Sequence, residues 1–396
     1  MNILVINCGS SSLKYKLIRI EGDSSSTLSC GNCDRINTNA IFYYKNNGVE
    51  SKKKLPIQGH KAALKALFEM LLDYKILKSL NDIEAIGHRV VHGGEYFLSS
   101  VVIDDSVIDK IEKCSILAPL HNPAGIIGIK ICKELFPNVP MVAVFDTAFH
   151  QTIENKAYLY AIPYEWYEKY KIRKYGFHGT SHSYVSKRAI KLLNLDENNS
   201  KLITCHLGNG SSICAIKNGK SIDTTMGLSP LEGLIMGTRS GDLDPSVVEY
   251  IMNKENLNIK EVLNILNKKS GVLGVSKLSS DFRDLLDSNN ELARLSINMF
   301  AYRIAKYIGS YIVSLSGIDG IVFCAGVGER APHIRKLVIE YIAFLGIYID
   351  EFKNENAIGV ESIISKEDSN ASVCVIPTNE ELMIALDTAN LVINKI

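Results

Sequence analysis

The sequence lacks the features that direct a chain to a membrane or to nucleic acid. None of its apolar runs approaches the roughly 18 residues of a membrane-spanning helix. The apolar start, Ile3–Ile6, is too short for a signal peptide and follows no basic segment. Neither sign of charge predominates, because 44 basic residues balance 43 acidic ones to a net charge of +1. We therefore expect no membrane partner, no nucleic-acid partner and a cytoplasmic location.

The cysteines are too irregular for a disulfide framework. There are nine, an odd number, and several lie inside apolar segments, which fits a reducing compartment. Cys30-Gly-Asn-Cys33 is a single CxxC motif that no second CxxC accompanies. A redox or zinc site is one interpretation of this motif, and a surface turn with two small residues is the one we favour.

The common phosphate-binding motifs of kinases are also missing. The sequence contains no GxxxxGK[ST] loop and no HRD…DFG set, and Asp281-Phe282-Arg283 is not a DFG motif. If the chain handles phosphate, another scaffold must do it.

The length, the composition and the predicted secondary structure are typical of a globular α/β chain. The length of 396 residues allows two or more domains, and 46% apolar with 22% charged residues is a globular composition. Segments that predict strands alternate with segments of helical periodicity. Strands are predicted at 3–20 (a hairpin), 83–86, 141–145, 202–207, 212–217, 220–224, 321–324 and 373–376, and a loop is predicted at 88–94. Helices are predicted at 60–80, at 122–136 with Asn122 as the cap, from residue 244 onward, at 291–316, and after Asn379, which is the cap of the last helix.

Two turns, one in each half of the chain, have similar sequences between similar apolar strands. The first is Asn7-Cys-Gly-Ser-Ser-Ser-Leu-Lys14, and the second is His206-Leu-Gly-Asn-Gly-Ser-Ser-Ile-Cys-Ala215. A turn of Gly, Ser and Asn between two apolar strands can direct several backbone N–H groups and hydroxyls at one point, which makes an anion-binding concavity. Two such turns predict a phosphate chain held by two related lobes.

These two turns resemble the two signatures of the acetate kinase family. The similarity continues in order along essentially the whole chain, through His88-Arg-Val-Val-His-Gly-Gly94, Phe145-Asp-Thr-Ala-Phe-His150, Tyr175-Gly-Phe-His-Gly-Thr-Ser-His182, Met226–Gly233, Gly237–Pro245, Asp281–Arg283 and Pro377-Thr-Asn-Glu-Glu381. The resemblance implies two duplicated actin-like (ribonuclease H-like) α/β lobes with the active site in the cleft between them. The expected domains are an N-terminal lobe, 1–148 with 382–396, and a nucleotide-binding lobe, 149–381.

The resemblance also implies reversible, Mg²⁺-dependent phosphoryl transfer from ATP to acetate by direct in-line displacement. A carboxylate acceptor is already ionised at about pH 7, so catalysis consists of positioning and charge neutralisation. By the family's pattern, Arg89 would hold the substrate carboxylate, and Arg239 and His178 would stabilise the transferring group. Asp146 is the family's proton donor or acceptor, but chemistry that barely needs a base favours an Asp146 that orients an arginine or a magnesium-bound water.

Simpler structural roles exist for the same residues. A lone arginine near glycines more often forms a salt bridge, and Asp146 could cap a helix. The spacing of His178 and His182 would suit a zinc pair, although His178 precedes a glycine and has no carboxylate nearby in the sequence. His88 and His92 have the same spacing and are expected to be hydrogen-bonded loop histidines.

The family's magnesium positions fall on Asn7 and Glu380, and Mn²⁺ is expected to substitute for Mg²⁺. Because Glu380 and Glu381 are adjacent, this assignment could slip by one, and both could equally be first-turn acids of a helix. Lys14, Ser10 and Ser12 would line the triphosphate. The expected nucleotide contacts are His206, Leu207, Gly208, Asn209, Gly210, Asp281, Phe282, Arg283, Gly326, Val327, Gly328, Glu329 and Arg330. Arg330 departs from the family, which usually has Asn there, and this could alter the purine preference.

Val91, Leu120, Phe177 and Pro230 match the family's apolar pocket for the substrate methyl group. One extra methylene changes binding by only about 1–3 kcal/mol, so a propionate or other short-chain fatty acid kinase stays an alternative. A non-catalytic nucleotide switch, as in the actin and chaperone branches of the fold, is a third reading. The four residues Arg89, Asp146, His178 and Arg239 argue against it. The family resemblance further implies a homodimer.

Overall fold

The computed structural model describes residues 1–37, 40–46 and 49–393. Within these ranges the chain forms two compact units, Met1–Phe149 with Asn379–Ile396, and His150–Thr378. No helix in the described ranges is both long enough and apolar enough to cross a membrane.

The first unit is built on an eight-stranded mixed sheet. Its strands are Asn2–Cys8 (β1), Ser12–Glu21 (β2), Ser24–Asp34 (β3), Ile41–Asn46 (β4), Val49–Lys54 (β5), Ala85–Val90 (β6), Val101–Val102 (β7) and Met141–Phe145 (β8). Their order is β5-β4-β3-β2-β1-β6-β8-β7. Strands β1, β6 and β8 run parallel, and the remaining pairs are antiparallel.

Helices cover both faces of this sheet, which is why β1 and β8 are apolar almost throughout. The helices are Gly59–Asp73 (α1), Asp105–Lys113 (α2), Asn122–Leu135 (α3) and the C-terminal helix Glu380–Ile393. Successive residues of β1 point to opposite faces, so Leu4 belongs to the core with α1, and Ile3 belongs to the core with Ile384 of the C-terminal helix. The C-terminal helix therefore completes the first unit.

The second unit has a six-stranded mixed sheet in the order β11-β10-β9-β12-β14-β13. Its strands are Lys201–Leu207 (β9), Ser211–Lys217 (β10), Lys220–Thr224 (β11), Gly320–Cys324 (β12), Ser362–Ile363 (β13) and Ser372–Val375 (β14). Its helices are Asn155–Tyr158 (α4), Tyr164–Tyr170 (α5), Gly179–Leu192 (α6), Ser246–Glu255 (α7), Ile259–Lys268 (α8), Gly271–Ser276 (α9), Phe282–Leu286 (α10), Glu291–Leu315 (α11), Ala325–Arg330 (α12), Pro332–Ile342 (α13) and Glu351–Asn356 (α14).

The two sheets share one topology, which confirms the predicted duplication. In the first, the order β3-β2-β1-β6-β8-β7 consists of three antiparallel strands, two further strands parallel to the third, and a two-residue antiparallel edge. The order β11-β10-β9-β12-β14-β13 repeats this pattern strand for strand. The two Gly/Ser turns occupy equivalent places, between β1 and β2 and between β9 and β10.

Four local predictions were wrong. The strand predicted at 83–86 starts later and continues to Val90, so Arg89 lies on β6 and not in a loop, while α1 ends at Asp73 instead of near residue 80. Asn122 is the first residue of α3 and not its cap, because its side chain is buried and hydrogen-bonded to both backbone groups of His92 (3.1 and 2.9 Å).

The fourth wrong prediction is the surface turn at the CxxC motif. Cys30 and Cys33 lie on β3, opposite Lys16 and Leu13 of β2. Residues three apart on a strand point to opposite faces, and Cys33 is fully buried while Cys30 is partly exposed. The two thiols therefore cannot form a disulfide or share a metal ion.

Candidate active site

The first Gly/Ser turn is held by a residue that the sequence pattern did not reveal. Gly9 N–H donates to the Ser12 carbonyl (2.9 Å) and closes the turn. His60, buried on α1, donates from Nε2 to the Gly9 carbonyl (2.7 Å). Ser10 and Lys14 are exposed and Ser12 is partly exposed, so these side chains are open to a ligand.

Arg89 and Asp146 form a bidentate ion pair at the ends of the parallel strands β6 and β8. Arg89 donates from Nε to Oδ1 (2.9 Å) and from Nη2 to Oδ2 (2.6 Å) of a carboxylate that is almost fully buried. Burial by itself lowers the pKa of Arg89, but the neighbouring charges of Asp146 and Glu380 raise it above its ordinary value. Both oxygens of Asp146 are thus engaged in orienting Arg89, which keeps part of its side chain exposed.

Glu380 and Glu381 have different surroundings. Glu381 accepts a hydrogen bond from Lys16 Nζ (3.1 Å), which also donates to the cap residue Asn379 (3.2 Å). Burial raises the pKa of Glu380 to about 6, and the negative charge of Asp146 adds to this rise while Arg89 opposes it. Glu380 is therefore close enough to the Arg89–Asp146 pair for their charges to shift its pKa.

His88 and His92 of the first unit have different surroundings. His88 lies buried on β6, and burial lowers its pKa to about 3, which keeps the ring neutral. Within the described chain its Nε2 has no hydrogen-bond partner, so the prediction of a hydrogen-bonded loop histidine was wrong for His88. His92 does lie in the loop, where its Nδ1 accepts from Gly94 N–H (3.0 Å).

Of the two residues of this unit that are expected to form the methyl pocket, Val91 is partly exposed and Leu120 is 69% exposed.

The second Gly/Ser turn lies against a glycine that has no room for a side chain. Gly208 N–H donates to the Gly210 carbonyl (3.1 Å), and Gly237 N–H donates to the Asn209 carbonyl (3.0 Å). A Cβ on Gly237 would lie 1.9 Å from the Asn209 Oδ1. Position 237 therefore requires a glycine, because the Asn209 side chain occupies the space that a Cβ would need.

His178 has a strained backbone and a fixed ring. Its φ of +56° is uncommon for a residue with a side chain, and it immediately precedes α6. The ring stacks on that of His206, with centroids 4.1 Å apart and planes 21° apart. His178 Nδ1 bonds to the Ser212 hydroxyl (2.9 Å), whereas Nε2 faces Gly210.

Arg239 meets His178 beside Gly210. A Cβ on Gly210 would lie 3.4 Å from Arg239 Nη1 and 3.6 Å from His178 Nε2. Arg239 Nη1 donates to the Pro230 carbonyl (3.1 Å), and no carboxylate of a described residue lies within ion-pair distance of its guanidinium. Burial lowers the pKa of Arg239, yet guanidinium stays charged in proteins. This half-buried cation is suited to an anionic ligand.

The loop that carries Arg239 is closed by Asp242, which the sequence analysis did not single out. Asp242 Oδ1 accepts from Gly233 N–H (2.7 Å), and Oδ2 accepts from the Tyr307 hydroxyl on α11 (2.6 Å). The backbone N–H of Asp242 returns a bond to the Gly233 carbonyl (3.0 Å). Residues 233–242 are therefore tied at both ends, which limits where Arg239 can go.

A cavity of about 410 Å³ brings together the three segments expected to contact nucleotide. It is lined by Gly208, Asn209, Ser280, Asp281, Phe282, Arg283, Leu286, Gly326, Val327, Arg330 and Ala331. Ser280, Leu286 and Ala331 were missed because they differ little from ordinary loop and helix residues. Asp281 holds the exposed Arg283 in a bidentate ion pair (2.6 to 3.2 Å).

Five of the expected nucleotide contacts, Gly210 among them, do not line this cavity. Leu207 is fully buried on β9, and Gly328 is buried as well. Glu329 is mostly buried and accepts from Thr378 N–H (2.9 Å), and His206 bonds to the Ser181 hydroxyl (2.8 Å). These residues support the walls of the cavity.

Arg335 on α13 is a further supporting residue that the sequence analysis did not select. Its fully buried guanidinium donates to the carbonyl oxygens of Gly328 (2.8 Å), Asn354 (2.7 Å) and Ala357 (3.1 Å). Burial lowers its pKa to about 10. An arginine that satisfies three carbonyls ties α12, which carries Arg330, to the rest of the unit.

The zinc alternative for His178 and His182 finds no support. Both ring nitrogens of the buried His182 are engaged by hydroxyl groups, Nδ1 by Thr204 (2.7 Å) and Nε2 by Ser212 (2.8 Å). Over the described ranges, no group of three or more His, Cys, Asp or Glu side chains is arranged to hold a metal ion.

Phe177 and Pro230, the two expected methyl-pocket residues of the second unit, also accept hydrogen bonds through their backbone carbonyls. Phe177 is almost fully buried, and its carbonyl accepts from His150 Nε2 (2.9 Å). The Pro230 carbonyl accepts from Arg239, as described above. Both residues therefore sit next to the groups expected to handle phosphate.

Comparison with known proteins finds relatives that match this chain over nearly its full length. The model of the acetokinase family matches residues 2–386. The acetate kinase of Helicobacter hepaticus is 58% identical, with 99% of each chain covered. The crystal structure of Porphyromonas gingivalis acetate kinase has a TM-score of 0.95 at 45% identity and 99% coverage of each chain. That of a propionate kinase from Francisella tularensis has a TM-score of 0.92 at 46% identity, covering 98% of this chain and 99% of that one.

Proposed function

Because this chain belongs to the acetokinase family, we propose that it transfers a phosphoryl group reversibly between ATP and acetate, with acetyl phosphate and ADP as products. The observation that carries the proposal is the convergence of Arg239 and His178 at Gly210, on the turn that borders the 410 Å³ cavity. With nucleotide in that cavity, a half-buried guanidinium and an imidazole stand ready to neutralise the charge of the transferring group.

The acceptor carboxylate is assigned to Arg89. A guanidinium fork held by Asp146 has a fixed plane and leaves further N–H groups for a second carboxylate. Asp146 acts here as a positioning residue and not as a base, because acetate is already ionised at about pH 7.

The residues present fit a magnesium ion. Glu380 is a carboxylate whose charge is disfavoured by burial and by Asp146, so a hard divalent cation would relieve the cost of ionising it. Asn7 supplies a neutral oxygen from the end of β1. When bound with ATP, Mg²⁺ would screen the phosphate charges, and Mn²⁺ is expected to replace it.

Magnesium affinity should therefore depend on pH. The pKa of Glu380, about 6, lies above its ordinary 4.5, so Glu380 loses its charge as the pH falls through about 6. Apparent Mg²⁺ affinity with ADP present should fall about tenfold for each pH unit below that point, as measured by calorimetry. Glu380→Gln should bind weakly at every pH, and Glu381→Gln should keep the wild-type profile. A Glu380→Gln profile that matches wild type would contradict the assignment.

The acyl chain length separates the acetate kinase from the propionate kinase alternative. A hydroxylamine trap for acyl phosphate, run with ATP, Mg²⁺ and acetate, propionate or butyrate, should give most product with acetate and near background with butyrate. Most product with propionate would favour the alternative. No product with any acid, despite bound ATP, would revive the nucleotide-switch reading.

Val91→Ala should shift this preference, because it removes two methyl groups from the wall assigned to the substrate methyl. The propionate-to-acetate ratio of kcat/KM should rise about tenfold, the effect of one methylene. Leu98→Ala, a truncation of an exposed leucine in the same unit, is the control and should leave the ratio unchanged. An unchanged ratio in Val91→Ala would remove Val91 from the pocket.

We also propose a homodimer and a cytoplasmic location, on the basis of the family resemblance. Sedimentation equilibrium at micromolar concentration should give twice the chain mass of 43.8 kDa.

A further inference from the structure

The hydrogen bonds behind His178 form an unbroken chain into the interior of the second unit. His178 Nδ1 meets the Ser212 hydroxyl (2.9 Å), the same hydroxyl meets His182 Nε2 (2.8 Å), and His182 Nδ1 meets the Thr204 hydroxyl (2.7 Å). Ser212, His182 and Thr204 are all fully buried. The chain therefore runs from the protein core to the ring that faces Gly210.

One serine hydroxyl between two imidazoles links their tautomers. A hydroxyl has a single proton to donate, so Ser212 can donate to only one of the two ring nitrogens and must accept from the other. If Ser212 donates to His178 Nδ1, the neutral His178 ring has its proton on Nε2. If the chain runs the other way, Nε2 is a bare acceptor, and it can donate only when His178 is a cation.

We infer that the chain runs toward the site: Thr204 donates to His182, His182 to Ser212, and Ser212 to Nδ1 of a neutral His178, whose proton is then on Nε2, the nitrogen that donates to the transferring phosphoryl group. Ser212, His182 and Thr204 are thus positioning residues. This inference rests on the role proposed for His178, because an anionic phosphoryl oxygen requires a donor at Nε2.

The charged and titratable groups around His178 favour the neutral ring. Arg239 reaches the same Gly210 from the 233–242 loop, and His206 of β9 stacks on the ring at 4.1 Å. His182 of α6 lies behind Ser212, and His150 bonds to the carbonyl of Phe177, the preceding residue. Burial, with His150 and His206 adding to it, lowers the pKa of His182 well below its ordinary value. A cationic His178 would face Arg239 and this group of rings, whereas a neutral donor avoids the repulsion.

The direct test is the tautomer itself. Histidine-selective ¹⁵N labelling with long-range ¹H–¹⁵N correlation distinguishes protonated from bare ring nitrogens. The spectrum of the full chain at about pH 7.5, where an ordinary histidine is neutral, should show His178 and His182 both with Nε2–H. The signals are assigned by their loss in His178→Asn and His182→Asn. A His178 with Nδ1–H, or an imidazolium, overturns the inference.

The functional test is the pH dependence of Ser212→Ala. Without the hydroxyl, the neutral ring is no longer oriented, and kcat at about pH 8 should fall about tenfold with KM for acetate and ATP nearly unchanged. The loss should become smaller as the pH is lowered far enough to form the imidazolium, which has a donor on both nitrogens. Ser212→Thr keeps the hydroxyl and should recover activity. Ser186→Ala removes a buried hydroxyl that bonds only to a backbone carbonyl in α6, and it should retain the wild-type profile.

The inference and the proposed function fail separately. Full acetyl phosphate synthesis by His178→Asn would remove His178 from the reaction, whatever its tautomer. Loss of activity in His178→Asn, together with an unchanged pH profile in Ser212→Ala, would keep His178 in the reaction and overturn the chain behind it.

Discussion

Replacing Arg239 with alanine should lower kcat by about 10³-fold, the range seen when an arginine that stabilises a transferring phosphoryl group is removed. The reason is the state of its guanidinium. It is half-buried and pairs with no described carboxylate, so its charge is available to the phosphoryl group. The charge on the transferring oxygens is greatest in the transition state, so KM for ATP and acetate should change much less than kcat.

Steady-state kinetics of acetyl phosphate formation measure this effect. Arg239→Lys keeps the charge but not the planar fork, and it should recover only part of the rate. Arg188→Ala is the matched control, because Arg188 makes an ion pair with Glu361 on the surface of the same unit and should leave kcat unchanged. Near-normal turnover in Arg239→Ala would mean that another group neutralises the phosphoryl charge.

Asp146→Asn should reduce kcat/KM for acetate by about 100-fold, chiefly through KM. An asparagine keeps the size of Asp146 but removes the charge, so it breaks the bidentate pair that orients Arg89. Loss of one partner of a buried charge pair typically costs about 3–5 kcal/mol. Because the side chain of Arg89 is partly exposed, water should recover part of that cost, which leaves roughly 3 kcal/mol.

The division between KM and kcat separates the two roles proposed for Asp146. A positioning residue affects acetate binding, whereas a general base would lower kcat and leave KM for acetate unchanged. Asp104→Asn is the control for the chemical change, because Asp104 caps α2 and asparagine caps helices equally well. Thermal unfolding should be followed for both variants, so that a folding defect is not taken for a binding defect.

Local sequence determined a large part of the architecture. The strand Met141–Phe145 was predictable because a strand buried on both faces must be apolar along its length, and the hairpin beginning at Asn2 was predictable because its residues alternate. The paired Gly/Ser turns indicated a duplication, which the two sheets confirm strand for strand. The motifs also identified the family, because they recur in order over the whole chain. These signals are short in range, so they survive without knowledge of the fold.

Only the tertiary structure decided which side chains act together. Glu380 and Glu381 are equivalent in the sequence, yet burial and the charges of Asp146 and Arg89 shift the pKa of Glu380, whereas Glu381 pairs with Lys16. Asp242 and Arg335 carry no motif, because their role is to satisfy backbone groups of residues far away in the chain.

The chain behind His178 illustrates the same limit. Thr204, Ser212 and His182 lie on two strands and a helix, and each is ordinary in its local sequence. Their order as donors and acceptors arises only when folding removes water and brings these hydroxyls and ring nitrogens within hydrogen-bond distance of one another. Sequence therefore determined the elements and the chemistry available to this protein, and burial in the folded chain decided which atoms that chemistry connects.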